Sequence, residues 1–280
     1  MRKIWLVICL IAQTIFLLAC QRIMPFTQLD SSITVEGPIE ISIDGKDFVK
    51  TLTDSHFDQY LSRKYPSFEF IPVTTQTGTS PFYLVDEDKI EVTNKGYLEI
   101  PIYIRSTDMA TVQWKSASLN SLPIPWISEC DFISGVNEVL TGEELKSTVS
   151  NAIRISIEGE IDEEESIVVY ERPSGYHHNN VLNNGGNLSN NGDGNPGYLS
   201  YHKSLYGSLL FGSDEVVVPA TVTEIRESNN IMLTDLKPVN EYYMSVITIR
   251  IWVERWDPDS YPAILNQDFS LSFVFVGKRS

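Results

Sequence analysis

Oxygen-bearing side chains occupy alternate positions in one glycine-rich stretch of the sequence. Asn191, Asp193 and Asn195 are separated by Gly192 and Gly194. Amide and carboxylate oxygens at this spacing are the ligands that calcium loops provide, with glycines at the tight turns. A complete calcium loop also ends in a bidentate glutamate, and no glutamate follows at the required distance. The stretch is therefore a calcium candidate without its last ligand, and a plain surface loop is the alternative.

Other histidines and carboxylates lack the spacing of a catalytic or metal centre. His177 and His178 are adjacent, and neighbouring residues rarely chelate one ion well, so solvated loop histidines are the alternative to a metal site. The chain has no G-x-S-x-G elbow, no H-E-x-x-H pair, no phosphate-binding loop and no dinucleotide fingerprint. Paired carboxylates hydrolyse glycosides, but 37 acidic residues also produce pairs by chance. We therefore expect no catalytic residue, no cofactor besides the calcium candidate, and a non-enzymatic protein.

The alternating run of residues 247–253 is the most regular in the sequence, and a second tryptophan follows it. Its apolar positions would face a core, which places Arg250 and Trp252 on the opposite face of the strand. Exposed tryptophan stacks on sugars and packs against protein partners. We expect surface recognition through Arg250, Trp252 and Trp256, and the alternative is that a second layer or a loop covers them.

Strict two-residue alternation also dominates the rest of the chain. The apolar positions are rich in β-branched and aromatic residues, so each run would bury one face of a strand. The runs are residues 39–43, 98–105, 153–157, 247–253 and 269–276, with shorter apolar strands at 167–170 and 216–218. Many strands with few helices between them indicate antiparallel sheets packed face to face. The predicted fold is all-β: a jelly-roll-like β-sandwich of two antiparallel sheets with two short helices.

Two segments have the apolar spacing of those helices. Residues 54–65 place three apolar side chains on one face and end before Pro66. Residues 141–152 begin with Thr141 and Glu144 at the spacing of a capping box. Neither segment alternates regularly with strands, which argues against a parallel sheet with crossover helices.

Two polar stretches predict connections between strands. Residues 174–200 are rich in asparagine and glycine and predict a long surface loop. The acidic run 162–165 follows the strand at 153–157 and predicts a solvated hairpin tip, with an ion site as the alternative.

The first twenty residues have the layout of a bacterial export signal. Two basic residues are followed by an apolar run that ends in Leu-Leu-Ala-Cys at Cys20. This ending resembles the lipobox, in which a leucine, a small residue and a cysteine mark where lipid is attached and the signal is removed. The resemblance implies lipidation of Cys20, and an uncleaved membrane helix is the alternative. We expect a signal peptide at 1–19, a tether at 20–32 and one β-sandwich domain at 33–280.

Composition restricts the partners and the location. The chain has 21 basic and 37 acidic residues, a formal net charge of −16. Such a surface repels nucleic-acid phosphates and anionic lipid head groups, so nucleic acid is not an expected partner. Cys130 is the single cysteine of the predicted domain, which excludes an intrachain disulfide and favours a small buried side chain. Both interpretations of the first twenty residues place the domain outside the cytoplasm, on the outer face of a bacterial cell membrane.

Four strand-like sequences occur together in a recognisable order. They are residues 96–107, 151–157, 249–254 and 257–259. Together they resemble the secreted surface proteins of Gram-positive bacteria related to camelysin and the biofilm matrix-fibre protein. The resemblance implies a jelly-roll-like sandwich that acts as a structural matrix or surface component, and it supplies no catalytic residues. This sequence departs from that group in carrying a lipobox, so the resemblance does not imply release or fibre assembly.

Two hypotheses about function follow. The first is a lipid-anchored, non-enzymatic cell-surface β-sandwich that contacts matrix, glycan or protein partners, including copies of itself. The alternative is a solute-capturing or carbohydrate-active lipoprotein with its site in the asparagine-rich loop or at residues 252–259. An enzyme should bring titratable groups together in a cleft, whereas a structural module should offer a flat face or an open sheet edge.

Overall fold

Alternation with a period of two gives each long strand one apolar face, and the long strands form two sheets. The computed structural model describes residues 31–85, 90–134, 137–172, 197–207, 220, 222–223, 226–265 and 267–279. The strands are β1 (Ser31–Glu36), β2 (Ile39–Ser42), β3 (Thr51–Leu52), β4 (Val73–Thr75), β5 (Phe82–Val85), β6 (Ile90–Thr93), β7 (Tyr97–Ser106), β8 (Ala110–Ser121), β9 (Ile124–Ile127), β10 (Phe132–Ser134), β11 (Asn137–Val139), β12 (Glu144–Ser147), β13 (Ile153–Ile161), β14 (Glu164–Glu171), β15 (Ser228–Asp235), β16 (Lys237–Val239), β17 (Tyr242–Val253) and β18 (Phe269–Arg279). The helices are α1 (Asp54–Lys64), α2 (Val149–Ala152) and α3 (Gly197–Tyr206), with a 3-10 helix at Pro262–Ile264.

The strands pair into two large sheets and several small ones. Sheet I has the order β15-β8-β18-β1-β3, and sheet II has the order β14-β13-β17-β7-β2 with β16 beside part of β17. Sheet III is smaller, with the order β4-β5-β6, and the pairs β9–β12 and β10–β11 stand apart from all three. The strand pairs named here are antiparallel, except that β1 and β18 pair in parallel in sheet I.

Sheets I and II face each other across one apolar core, so the chain is an all-β sandwich, as its alternation predicts. Sheet II contributes mainly isoleucines from β7, β13 and β17, and sheet I contributes large aromatic side chains from β8 and β18. Trp114 of sheet I lies edge-on against Tyr170 of sheet II, with ring centroids 5.1 Å apart. Full burial of one such side chain stabilises the fold by about 1.5–3 kcal/mol, so this interface holds the two sheets together.

Sheet III forms a partial third layer on the outer face of sheet II. Phe82 of β5 stacks on Tyr97 of β7 at 3.8 Å between ring centroids, and it lies edge-on against Trp252 of β17 at 5.5 Å. Val73 and Val169 complete this small apolar contact. The outer face of sheet II is therefore covered at the end of β17 that lies near residue 253.

The structure confirms one predicted helix and corrects the other. Helix α1 begins after Thr53, whose backbone N–H donates to His56 Nδ1 at 3.1 Å, and it ends one residue before the predicted limit. The prediction of a helix over 141–152 is wrong except for α2. Residues 144–147 form β12 instead, because Leu145 packs into an aromatic cluster while its backbone pairs with β9. Among the described residues, no helix is long and apolar enough to span a bilayer.

The predicted loop at 174–200 ends in a helix. Residues 197–200 belong to α3, so that part of the loop prediction is wrong. The remainder of the loop, residues 174–196, lies outside the described residues, as does the predicted strand at 216–218. Helix α3 packs against β10, where the backbone N–H of Ile133 donates to Ser200 Oγ at 2.9 Å.

The two ends of the sandwich differ, and we name them by the strand that begins the domain. The proximal end is the end at which Ser31 starts β1. Ser31 pairs with Leu271 of β18, which pairs in turn with Leu119 of β8. Strands β8 and β17 end at this end, and β13 begins there. The pairs β9–β12 and β10–β11 and helix α2 lie between β8 and β13 in the chain, and the turn after β17 lies at the same end. The opposite, distal end carries the hairpin tip between β13 and β14.

Candidate functional site

Arg154 lies on the face of β13 that points away from the main core. The β13–β14 hairpin turns through Asp162 and Glu163, whose φ values of 51° and 68° are those of a two-residue hairpin turn. This register places Arg154 directly opposite Glu171, and β17 places Trp252 opposite Arg154 on its other side. Alternation alone predicts that Arg154 is exposed to solvent, yet the residue is 1% exposed.

Three carboxylates surround the Arg154 guanidinium, and we call these four residues the arginine cluster. Arg154 Nε and Nη2 both contact Glu171 Oε2 at 2.8 Å. Nη1 lies 3.2 Å from Glu254 Oε2, and Nη2 lies 3.4 Å from Asp257 Oδ2. The four side chains are 0–2% exposed. Because water is excluded, these charges must balance one another.

The carboxylates of the cluster also hold the turn that follows β17. Glu254 accepts the indole N–H of Trp252 at 2.9 Å and the backbone N–H of Trp256 at 3.2 Å. Asp257 accepts the backbone N–H of Asp259 at 2.9 Å. The turn from 254 to 259 is thus shaped by the same groups that neutralise Arg154.

The charge count of the cluster favours a bound proton. One guanidinium faces three carboxylates, and burial raises the pKa of Asp257 well above 3.8, with a further contribution from the charge of Glu171. Arg154 opposes this shift but is farthest from Asp257 among its three partners. Burial alone would lower the pKa of Arg154, and the three carboxylates raise it overall. The arrangement can retain a proton on Asp257 and a permanent charge on Arg154.

A half-buried polar network continues from the cluster toward the surface. Arg172 Nη1 donates to Ser150 Oγ at 2.8 Å, and Asn151 Nδ2 donates to Asp259 Oδ2 at 3.0 Å. The backbone N–H of Ser150 donates to Ser121 Oγ at 3.0 Å, which joins the end of β8 to α2. These groups are engaged with one another across elements of both sheets, so the network fastens the proximal end.

Aromatic side chains form a second core beside this network. Trp126 of β9 lies 4.9 Å from Tyr261 and 5.4 Å from Tyr201 of α3, measured between ring centroids. Burial raises the pKa of Tyr201 to about 12, so its hydroxyl stays protonated. Cys130 is half-buried there, with Sγ 3.7 Å from the carbonyl oxygen of Tyr201, and burial raises its thiol pKa. A protonated, half-buried thiol is a packing group rather than a nucleophile.

Several side chains of the second core come from a segment that we call the arm, residues 122–134 and 137–147, which also carries exposed apolar side chains. Five of the eleven exposed large apolar side chains in the described part of the chain lie in the arm, although it has only 24 described residues. They are Leu122 (83% exposed), Ile124 (37%), Ile127 (55%), Ile133 (40%) and Leu140 (55%). Scattered apolar residues on a surface are ordinary, whereas a concentration of them in one segment is typical of contact surfaces.

The sequence-based expectation that Arg250, Trp252 and Trp256 form an exposed recognition surface is wrong. Trp252 and Trp256 are 0% and 1% exposed, because sheet III covers the first and the second core takes the second. Arg250 is 8% exposed and donates to Glu99 at 2.9 Å and to Glu158. The alternative of a covering layer is therefore correct for both tryptophans.

The remaining candidate residues lie outside the described ranges. These are the lipidation site Cys20, the calcium candidates Asn191, Asp193 and Asn195, and the pair of loop histidines. Their roles stay predictions. Within the described ranges, no group of three histidine, cysteine, aspartate or glutamate side chains is arranged to hold a metal ion.

Two features were missed in the sequence, although both of them left a signal. A two-residue turn at 162–163 makes hairpin partners add to 325, which sets Arg154 opposite Glu171. An opposed arginine and glutamate at the end of a hairpin could therefore have been read from the sequence. Helix α3 shows Tyr198, Tyr201 and Leu205 at helical spacing, but the preceding asparagine-rich stretch obscured it.

Comparison of the chain with models of protein families, with curated proteins and with solved structures finds no match in any of the three. The likeness of its strand sequences to the camelysin group stays a prediction. What the chain does must therefore be inferred from its own residues.

Proposed function

We propose that this protein is a lipid-anchored, non-enzymatic β-sandwich on the outer face of a bacterial membrane, and that it contacts a protein partner through the arm. The observation that carries the proposal is the exposed apolar surface of the arm. Leu122, Ile127 and Leu140 are each more than half exposed, although the main core and the second core bury comparable side chains almost completely. Exposed apolar groups gain no free energy from burial until a partner covers them, and such covering favours association.

The state of the titratable groups supports a non-enzymatic role. A catalytic carboxylate must reach its substrate, whereas Glu171, Glu254 and Asp257 are buried and already engaged. The half-buried Asp259 is held by Asn151. The segment 252–259, where a carbohydrate-active site would lie under the alternative hypothesis, is thus occupied by structural contacts.

The position of Ser31 supports the anchoring part of the proposal. Cys20 precedes Ser31 by eleven positions (31 − 20), so an extended tether reaches at most about 38 Å. Ser31 lies at the proximal end, two strands from Leu119 and therefore about 10 Å away across sheet I. The arm follows β8 at this same end, so anchor and arm would both face the membrane side of the domain.

Lipid attachment is tested by Cys20→Ala in cells fed labelled palmitate. The variant should lose palmitate incorporation and membrane retention, because the thiol that takes the lipid is gone. Cys130→Ala is the matched control and should keep both. Unchanged palmitate labelling of Cys20→Ala contradicts the anchor.

The contact role is tested by placing a photo-crosslinking residue at Ile127 in the native, anchored protein. Crosslinks to one discrete polypeptide are expected from Ile127. Met109, which is 56% exposed near the start of β8 at the distal end, is the matched control site and should give none. Equal crosslinking from both positions, or hydrolysis of a glycan or peptide by the purified protein, contradicts the proposed function.

A further inference from the structure

The arm pairs exposed isoleucines with exposed acidic residues. Ile127 of β9 lies directly opposite Glu144 of β12, and Ile133 of β10 lies directly opposite Glu138 of β11. All four side chains are exposed. Directly opposed residues of an antiparallel pair hold their side chains about 5 Å apart on one face. Each pair therefore presents an apolar group and a carboxylate side by side.

The acidic residues of the arm are hardly neutralised by basic residues of the same segment. The arm contains five exposed acidic residues, Glu129, Asp131, Glu138, Glu143 and Glu144, against one basic residue, Lys146. Within the described part of the chain, neither Glu138 nor Glu144 forms an ion pair. By contrast, Glu40 and Glu36 on the sandwich surface are paired, with Arg105 and Lys115. The unpaired carboxylates leave a negative potential around the apolar groups of the arm.

This charge restricts what covers the arm. An anionic bilayer and a second copy of a chain with net charge −16 are both repelled by five local carboxylates. Residues 173–196 of the same chain contain no lysine or arginine, so they cannot neutralise the arm. A glycan would neither cover the isoleucines with apolar surface nor neutralise the carboxylates. An apolar segment that also carries cationic side chains satisfies both.

We propose that the arm binds a cationic amphipathic segment of a partner protein. This inference rests on the proposed function and specifies its partner. Apolar side chains of the partner cover Ile127, Ile133 and Leu140, and its lysine or arginine side chains pair with Glu138 and Glu144. The strand register places each of these carboxylates beside an isoleucine. The partner segment must therefore present apolar and cationic side chains next to each other.

The inference is tested with the mature chain, residues 20–280 carrying Cys20→Ala, and fluorescent peptides. The probe is an amphipathic helical peptide of leucine and lysine, and its counterpart has glutamate in place of every lysine. Fluorescence anisotropy should show binding of the lysine peptide alone, weakened by added salt. The pair Ile127→Ser and Ile133→Ser, and separately the pair Glu138→Lys and Glu144→Lys, should each weaken binding about tenfold or more.

Matched controls separate this contact from a general attraction to an acidic protein. Met109→Ser removes an equally exposed apolar residue, and Glu163→Lys reverses an exposed charge at the distal hairpin tip. Both should leave the affinity within about twofold, and all variants should keep the parent far-ultraviolet spectrum and melting temperature. Equal weakening by the controls, or equal binding of the glutamate peptide, overturns the inference.

Two further outcomes identify a different occupant and also overturn it. Binding to phosphatidylglycerol vesicles that is lost with the isoleucine changes assigns the arm to the membrane. Concentration-dependent dimers in sedimentation that are lost with the same changes assign it to a second copy. If Ile127 crosslinks a partner in cells but the lysine peptide does not bind, the cationic partner is wrong and the contact role stands. If Ile127 crosslinks nothing, the contact role itself fails.

Discussion

Arg154 occupies the centre of a set of charges from which water is excluded. A guanidinium and three carboxylates in such a place are held by one another, and removing one member leaves the others buried without compensation. Arg154 lies in β13, Glu171 lies in β14, and Glu254 and Asp257 lie in the turn beyond β17. The cluster consists of only four side chains, yet it joins three separate parts of the chain.

Arg154→Met should destabilise the domain by about 3–5 kcal/mol, because it leaves carboxylates buried without their cation. The measurement is the free energy of unfolding in urea at neutral pH. Arg105→Met is the control, since its pair with Glu40 is 27% and 39% exposed and is worth about 1 kcal/mol or less. Equal losses of unfolding free energy in the two variants would show that the buried cluster stabilises the domain no more than an exposed ion pair does.

Asp257 should make stability depend on pH in the direction opposite to that of most carboxylates. Its folded-state pKa is raised by burial and by Glu171, so the folded state holds a proton that the unfolded state releases above about pH 4. Its contribution is therefore complete below that pH and is lost as pH rises toward the folded pKa. The loss should be about 1.4 kcal/mol per pH unit within that window.

Asp257→Asn isolates this effect, because asparagine is neutral at every pH. The difference in unfolding free energy between variant and parent should move in favour of the variant as pH rises from 4 to 8. Chemical denaturation at a series of pH values measures it. The groups that face Asp257, namely Arg154, Glu171, Glu254 and Asp259, are common to both proteins. A difference that stays constant with pH would contradict the raised pKa.

At the scale of elements, alternation predicted most of the sandwich but not what covers it. The runs in β2, β7, β13, β17 and β18 each form a strand because a period of two is a local property of the chain. The position of Trp252 on the outer face of β17 was also correct. Its burial was not predictable, because it depends on Phe82, which precedes Trp252 by 170 residues and reaches it through sheet III.

The error at residues 141–152 has a related cause. Thr141 and Glu144 have the spacing of a capping box, yet residues 144–147 pair with β9 and bury Leu145 beside Trp126. Helix propensity is a weak preference that such packing overrides. The candidate site was not predicted from the sequence, because it too depends on packing and not on local pattern. Arg154 meets Asp257 103 positions later in the chain, and the exposure of the arm depends on how its strands pair.

The two sheets are in close contact where β13 meets β15. A Cβ built on Gly159 would lie 2.2 Å from the carbonyl oxygen of Leu233, which is closer than atoms can approach. Next to it, Thr234 Oγ1 donates to the carbonyl oxygen of Glu160 at 3.1 Å and lies 2.7 Å from Ser245 Oγ. Glycine is required here by space, and the edge of sheet I closes onto sheet II at this point.

Gly159→Ala should separate β13 from β15 and destabilise the domain by about 1–3 kcal/mol, the usual effect of overpacking. Thermal unfolding followed by circular dichroism measures the change. Ser166→Ala, at the position opposite Gly159 on β14, adds no atoms and should change stability by less than about 0.5 kcal/mol. A tolerated Gly159→Ala would mean that the two sheets do not need this close contact.

At the scale of the whole molecule, the two ends of the sandwich have different surfaces. The proximal end carries the start of β1, the aromatic second core and the arm. The distal end carries the turn at Asp162 and Glu163, and the nine residues of β13 place it about 30 Å away. In a protein anchored through Cys20, the acidic hairpin at Asp162 and Glu163 would thus lie on the side of the domain away from the membrane.

This orientation is measurable by energy transfer from a labelled domain to acceptor lipids. In a Cys130→Ser background, a donor on Leu122→Cys should transfer efficiently, because the arm lies at the tethered end. A donor on Glu163→Cys should transfer much less. The same labels on protein carrying Cys20→Ala should show no transfer. Equal transfer from both sites would contradict the orientation.

The parallel pairing of β1 with β18 also determines how the domain bears mechanical load. If Cys20 carries the proposed lipid, tension on this anchor enters the domain at Ser31 and acts along β1. The six residue pairs with β18, and the shorter pairing with β3 on the other side, hold β1 by hydrogen bonds that run across the direction of pull. Such bonds are strained together rather than opened one after another. To be extracted, β1 must slide lengthwise out of sheet I and break these hydrogen bonds together, so the sheet resists a pull on the start of β1.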